Sequence, residues 1–155
     1  MTTGSGGGTA DGAIAIYNAQ ITQIPAVQKA QWLDTGESLD PTTLIVMFGD
    51  HAESCGAPVF DYGTQNHQFV LIGLPQAMQL VGKYDLASTA IIAVGNSWLT
   101  DGMGNGGGGG GPITTGTVEV LSIDSSSITV RIQGLVFDLG GQNGDHVATI
   151  CPSGV

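Results

Sequence analysis

Residues able to hold a metal or move a proton are few in this chain. The histidines are His51, His67 and His146. Asp50, His51, Glu53, Asp61 and His67 fall within one polar stretch, residues 49–67. Their spacing matches no H-E-x-x-H or comparable ligand pattern, so solvated loop residues are the plainer reading. Ser54 precedes Cys55, but neither lies in a G-x-S-x-G elbow. A cysteine nucleophile needs a free thiolate and a positioned histidine. Residues 101–106 (Asp-Gly-Met-Gly-Asn-Gly) open like a calcium loop and then depart from it. Met103 stands at the third position, and Pro112 stands where the closing glutamate belongs. The glycines that follow lack the Gly-Lys-Ser/Thr of a phosphate-binding loop. With 13 acids some carboxylate pair is always available, so a glycosidase pair cannot be picked out. Trp32, Trp98, Tyr17 and Tyr62 can line a sugar-binding face, but core packing is their commoner use. The expectation is a protein that is not an enzyme, with no catalytic residue, metal or cofactor.

Charge excludes further classes. Among 155 residues only Lys29, Lys83 and Arg131 are basic, and the net charge is −10. Phosphate backbones and anionic lipid surfaces both demand clustered cations, so neither is an expected partner. Charged residues make up 10% of the chain, against about 25% in an average soluble domain. Solubility then rests on 26 glycines, on neutral polar residues and on the acidic excess. No run approaches 18 apolar residues, so direct membrane insertion is not expected. No basic and apolar targeting segment is visible in the first residues.

The two cysteines, Cys55 and Cys151, form no C-x-x-C pair. They read as one disulfide, the alternative being two unrelated buried thiols. Closing a loop of about 100 residues contributes roughly 4–5 kcal/mol in the chain-entropy model. A disulfide would place the protein outside the reducing cytosol, secreted or at the cell surface.

The elements that must position these residues read as strands. Residues 1–12 form a Gly-rich leader or tether, and residues 13–155 a single domain. A strand starts at Ala13 and is expected to run towards Ile24, where Pro25 stops it. Leu44–Phe48 is a continuous apolar run of strand length, hence a buried central strand. Strands follow at 69–72, 84–86 and 90–94. Residues 104–111, with six successive glycines from Gly106, are expected to be a loop. Val118–Ile123 and Ile128–Ile132 flank Asp124-Ser125-Ser126-Ser127 as a hairpin. In its second arm Ile128, Val130 and Ile132 alternate with polar residues, the period-2 pattern of one buried face. Asn143-Gly144 is a tight-turn signal leading into a last strand at 146–150. The expected core includes Ile45, Met47, Phe69, Leu71, Ile91, Ile128, Val130 and Ile132. About eight to ten short strands without a ten-residue amphipathic helix predict an all-β antiparallel sandwich, Ig-like or jelly-roll-like.

The order of motifs in the second half resembles a family. Leu74-Pro75, Gly82-Lys83-Tyr84-Asp85-Leu86, the glycine run, Gly116-Thr117-Val118-Glu119-Val120, Asn143-Gly144-Asp145-His146 and Cys151-Pro152 follow one another. The pattern is similar to the β-domain of uncharacterised bacterial surface lipoproteins that sit behind Gly/Ser/Thr-rich tethers. It covers roughly residues 44–152. The resemblance implies an extracytoplasmic β-domain and assigns no catalytic residues.

Two functions are expected from these features. The first is a structural or assembly module that self-associates as a homo-oligomer or filament, or joins another surface protein. Its exchange segment would be the N-terminal strand carrying Ile14, Ile16, Ile21 and Ile24, paired in cis or in trans. The alternative is a cell-surface module binding carbohydrate or protein through the segments 49–67 and 100–116.

Overall fold

The structure, a computed structural model, describes residues 12–21, 40–49, 55, 67–100, 106–136 and 143–152. Among them nine strands form: β1 (Ala13–Tyr17), β2 (Leu44–Gly49), β3 (His67–Leu74), β4 (Gly82–Asp85), β5 (Ile92–Thr100), β6 (Gly106–Pro112), β7 (Thr117–Ile123), β8 (Ser127–Gln133) and β9 (Gly144–Ile150). One helical turn, α1 (Asn18–Ile21), and a 3-10 turn at Gln76–Met78 complete the described elements. All-β architecture is therefore present.

The nine strands belong to one sheet, ordered β4-β7-β8-β9-β1-β2-β3-β5-β6. The expected purely antiparallel sandwich is met only in part. β1 runs parallel to β9, with Ala13 opposite Ala148 and Ala15 opposite Ile150, while the other pairs are antiparallel. Two short connections force the sheet to curl into half a barrel. β6 and β7 lie seven strand spacings apart in the order, about 34 Å in a flat sheet. Residues 113–116 between them reach at most about 17 Å. β4 and β5 are also seven spacings apart and are joined by residues 86–91 alone.

Curling gives the sheet an inner and an outer face. Alternate residues of successive strands meet on the inner face: Ala13 and Ala15, Leu44, Val46 and Phe48, Val70 and Ile72, then Val118, Val120, Ile128, Val130, Ile132, Ala148 and Ile150. Leu86, Ile91, Ile113 and Leu135, which lie outside the strands, belong to the same cluster. The intervening residues Ile14, Ile16, Ile45, Met47, Phe69 and Leu71 form a second cluster on the outer face, with Cys151. β2 is thus buried on both faces, which explains a continuous apolar run where a half-exposed strand would alternate. The eight expected core residues are all buried, but they divide between the two clusters.

Two local expectations are corrected. β1 ends at Tyr17 and does not continue towards Ile24. The Gln20 side chain accepts the Tyr17 N–H at 3.2 Å, and the N–H groups of Asn18 and Ala19 donate to the carbonyls of Thr43 and Pro41. These bonds fold the chain into α1 instead of a longer strand. The glycine run is not a loop, because Gly106–Pro112 pairs with β5 from Thr100↔Gly106 to Val94↔Pro112. Ladder hydrogen bonds use the backbone alone, and β5 supplies the partner that polyglycine lacks in isolation.

Candidate functional site

The C-terminal end of β9 is held by three devices. Cys55 and Cys151 are bonded, with Cα atoms 5.4 Å apart across 96 positions of sequence. The Cys151 N–H donates to the Ala15 carbonyl at 2.8 Å, extending the parallel pairing of β9 with β1. Gln20 is 8% exposed, and its Nε2 donates to the carbonyls of Pro152 at 2.8 Å and Cys151 at 3.4 Å. The first helical turn, the first strand and the disulfide therefore converge on one terminus. Nothing in the sequence around Gln20 signals that role, because its partners lie more than 130 positions away.

Of the expected assembly residues, Ile14 and Ile16 are buried in the outer cluster, on a strand at the middle of its own sheet. Ile21 ends α1, and its side chain is outside the described residues, as is Ile24 altogether. Asp50, His51, Glu53, Asp61 and residues 101–105 also lie outside them, as do Trp32, Tyr62 and the side chains of His67 and Trp98. His146 faces inward from β9, 6% exposed, with its ring stacked on Phe48 at 4.0 Å between centroids. Tyr17 packs against the inner cluster. Among the described residues no group of three His, Cys, Asp or Glu is placed to hold a metal. No described helix is long and apolar enough to cross a membrane.

Charge is organised on the outer face of one half of the sheet. The register sets Lys83 opposite Glu119, Glu119 opposite Arg131, and Arg131 opposite Asp145. This row of alternating sign crosses β4, β7, β8 and β9. Its closest contact is Arg131 Nε donating to Asp145 Oδ1 at 2.7 Å, with Nη2 donating to Oδ2 at 3.1 Å. The guanidinium holds the Asp145 carboxyl below its ordinary range. Asp124 is lowered by hydrogen bonds from Ser126 N–H, Ser126 Oγ and Ser127 N–H, which fasten the β7–β8 turn. Asp40 is lowered by the Thr42 hydroxyl and N–H at 2.7 and 2.8 Å.

The two edges of the sheet are unlike. β4 has four residues, with Lys83 and Asp85 exposed and Tyr84 turned inward. Just before it, Leu80 and Val81 are 55% and 66% exposed. The Tyr84 hydroxyl donates to the Leu80 carbonyl at 2.9 Å, tying that segment to the strand. β6 at the opposite edge has seven residues, six glycines and Pro112. A side chain built at Gly111 meets nothing within 4 Å. Charges, proline and short length are the usual guards of a sheet edge. β4 carries charges and is short, whereas β6 has only Pro112 at its end. Between the edges, residues 86–89, 91–94 and 112–114 line an open groove of about 350 Å³, largely apolar and without a charged side chain.

Compared with known proteins, the chain matches no family model, no curated protein and no solved structure at a significant level.

Proposed function

We propose that the chain is an extracytoplasmic structural module that works by self-association, and that it is not an enzyme. The observation that carries this reading is the β6 edge. Among the described residues no strand pairs with the outer edge of this seven-residue strand, which has no side chain before its terminal proline, so its outward N–H and C=O groups are a template for another strand. The disulfide supports a location outside the reducing cytosol, at a cell surface or secreted. The motif order of tethered surface domains agrees with that location. Burial of Ile14, Ile45 and Met47 on the outer face supports a second layer of the kind a sandwich has.

Assembly at the edges is favoured over exchange of the N-terminal strand. Removing β1 would part β2 from β9 and uncover Ile14, Ile16 and their partners, whereas the edges add a strand at no such cost. Sedimentation velocity and negative-stain microscopy of the oxidised chain test the reading. Concentration-dependent oligomers or filaments are expected, and a monomer throughout would overturn it. The groove of about 350 Å³ favours a second reading, a small neutral ligand or sugar, which glycan-array binding would reveal.

A further inference from the structure

We infer that Asn143 is a site of covalent self-modification, where the Gly144 nitrogen displaces the side-chain ammonia and leaves an aspartyl or isoaspartyl residue at the head of β9. The reaction needs no second copy of the chain, so it stands apart from self-association. Of the asparagines Asn18, Asn66, Asn96, Asn105 and Asn143, only the last two precede glycine, and Asn105 lies outside the described residues. Asparagine is thermolabile because the next residue's nitrogen can attack its side-chain carbonyl carbon. Glycine, with no side chain, leaves that nitrogen least hindered. The turn here needs its glycine, since Gly144 has φ +123°, a conformation other residues rarely adopt. Gly144 is exposed, and a Cβ built on it meets nothing within 4 Å, so there is room for a ring and access for water.

A clamp restrains the reaction. The Leu135 N–H donates to Asn143 Oδ1 at 3.0 Å, and Asn143 Nδ2 donates to the Leu135 carbonyl at 3.4 Å. Leu135 is 8% exposed and belongs to the inner cluster, so the clamp is anchored in the core. Cyclisation draws Asn143 Cγ onto the Gly144 nitrogen and takes the carboxamide off Leu135. The nitrogen gives up its proton and bonds to Cγ, the Cγ–Nδ2 bond breaks, and Nδ2 leaves with that proton as ammonia. Water then opens the succinimide ring at either carbonyl, giving aspartate or isoaspartate. Water enters, ammonia leaves, and nothing is oxidised or reduced. The product adds one carboxylate to a chain already at −10, and it sets an oxygen against the Leu135 carbonyl where Nδ2 had donated. β9 pairs with β8 from Gly144, opposite Ile132, onwards. An isoaspartate at 143 therefore lengthens the main chain just ahead of the first pair, and the loss falls on the clamp, not on the ladder.

Peptide mapping by mass spectrometry tests the site, on the oxidised chain incubated at mildly alkaline pH, folded or in enough urea to unfold it. Two hydrogen bonds of ordinary net strength leave the clamp open in roughly one molecule in ten to a hundred, so Asn143 should convert about ten- to a hundredfold more slowly when folded. Equal rates would show that the clamp restrains nothing, and a folded rate more than about a thousandfold slower would show a site reached only by global unfolding; either overturns the inference. Asn143→Asp imitates the product. Its melting temperature should lie below that of the unsubstituted chain at pH 7 and recover as the pH falls below about 4, because the protonated carboxyl again donates to the Leu135 carbonyl. Its folded pKa is raised, so the penalty is present above the unfolded value and is lost below it. Of the nearby titratable groups on β8 and β9, Arg131 and Asp145 are paired with each other and His146 is stacked on Phe48. All three are shared by Asn143→Ala, which loses both bonds at every pH and should show no such recovery. Matching pH profiles for the two variants would overturn the clamp.

Discussion

Ile72 lies at the centre of the inner cluster, 0% exposed, between Val46 on β2 and Ala93 on β5. Ile72→Asp places a carboxyl among apolar neighbours. Losing the buried isoleucine costs about 1.5–3 kcal/mol, and burying an unpaired neutral polar group adds about 1–3 kcal/mol. Ionisation in that site is far more expensive, so the carboxyl stays protonated when folded. In the unfolded chain it titrates near 4, so holding the proton at pH 7 costs about 4 kcal/mol more. Because the folded pKa is raised, this penalty grows as pH rises above the unfolded value and shrinks as pH falls towards it. At pH 5 about 2.7 kcal/mol of it should have gone. Ile72→Asn carries a similar polar burden without titrating, so it isolates the ionisation cost. Urea denaturation of both variants at pH 5 and pH 7, compared through midpoints and slopes, gives the differences. At pH 7 the Asp variant should be less stable than the Asn variant by about 4 kcal/mol, a large share of a typical domain's stability. Equal stability of the two at pH 7, or an Asp-specific loss that does not shrink at pH 5, would refute the placement of Ile72 in a dry inner core.

Three further outcomes are expected. Replacing Cys55 and Cys151 together by serine should cost roughly 4–5 kcal/mol in the chain-entropy model for a 96-residue separation, and reduction should add two hydrogens to the intact mass; two freely alkylated thiols in the unreduced protein would contradict the bond. Gly116→Ala should cost at least about 1–2 kcal/mol by thermal melting, because φ is +99° and the new Cβ would lie 2.6 Å from the Gln133 carbonyl oxygen; a neutral effect would mean that this turn is placed wrongly. Asp40, Asp124 and Asp145 all have lowered carboxyls, so their stabilisation is present above the ordinary carboxylate range and is lost as pH falls through their folded values; carboxyl-carbon NMR should show all three titrating below a model aspartate, and Asp145 should move back towards it in Arg131→Ala.

The sequence alone determined what depends on neighbours along the chain. The alternation of Ile128, Val130 and Ile132 gave one face of β8, the run Leu44–Phe48 gave a buried strand, and Asp124-Ser-Ser-Ser gave the hairpin. The disulfide was legible because two cysteines leave one pairing. The site was far less legible, because edges are a property of the whole sheet. Period and composition do not tell which strand lies beside which, so the parallel pairing of β1 with β9 could not be read. The row Lys83, Glu119, Arg131, Asp145 likewise exists only once three registers are set. Polyglycine shows the limit most plainly. Without side chains it has no pattern to read, and by itself it has no fixed conformation. Whether it is a loop or an edge strand is decided by the hydrogen-bonding partner that tertiary structure brings alongside, here β5.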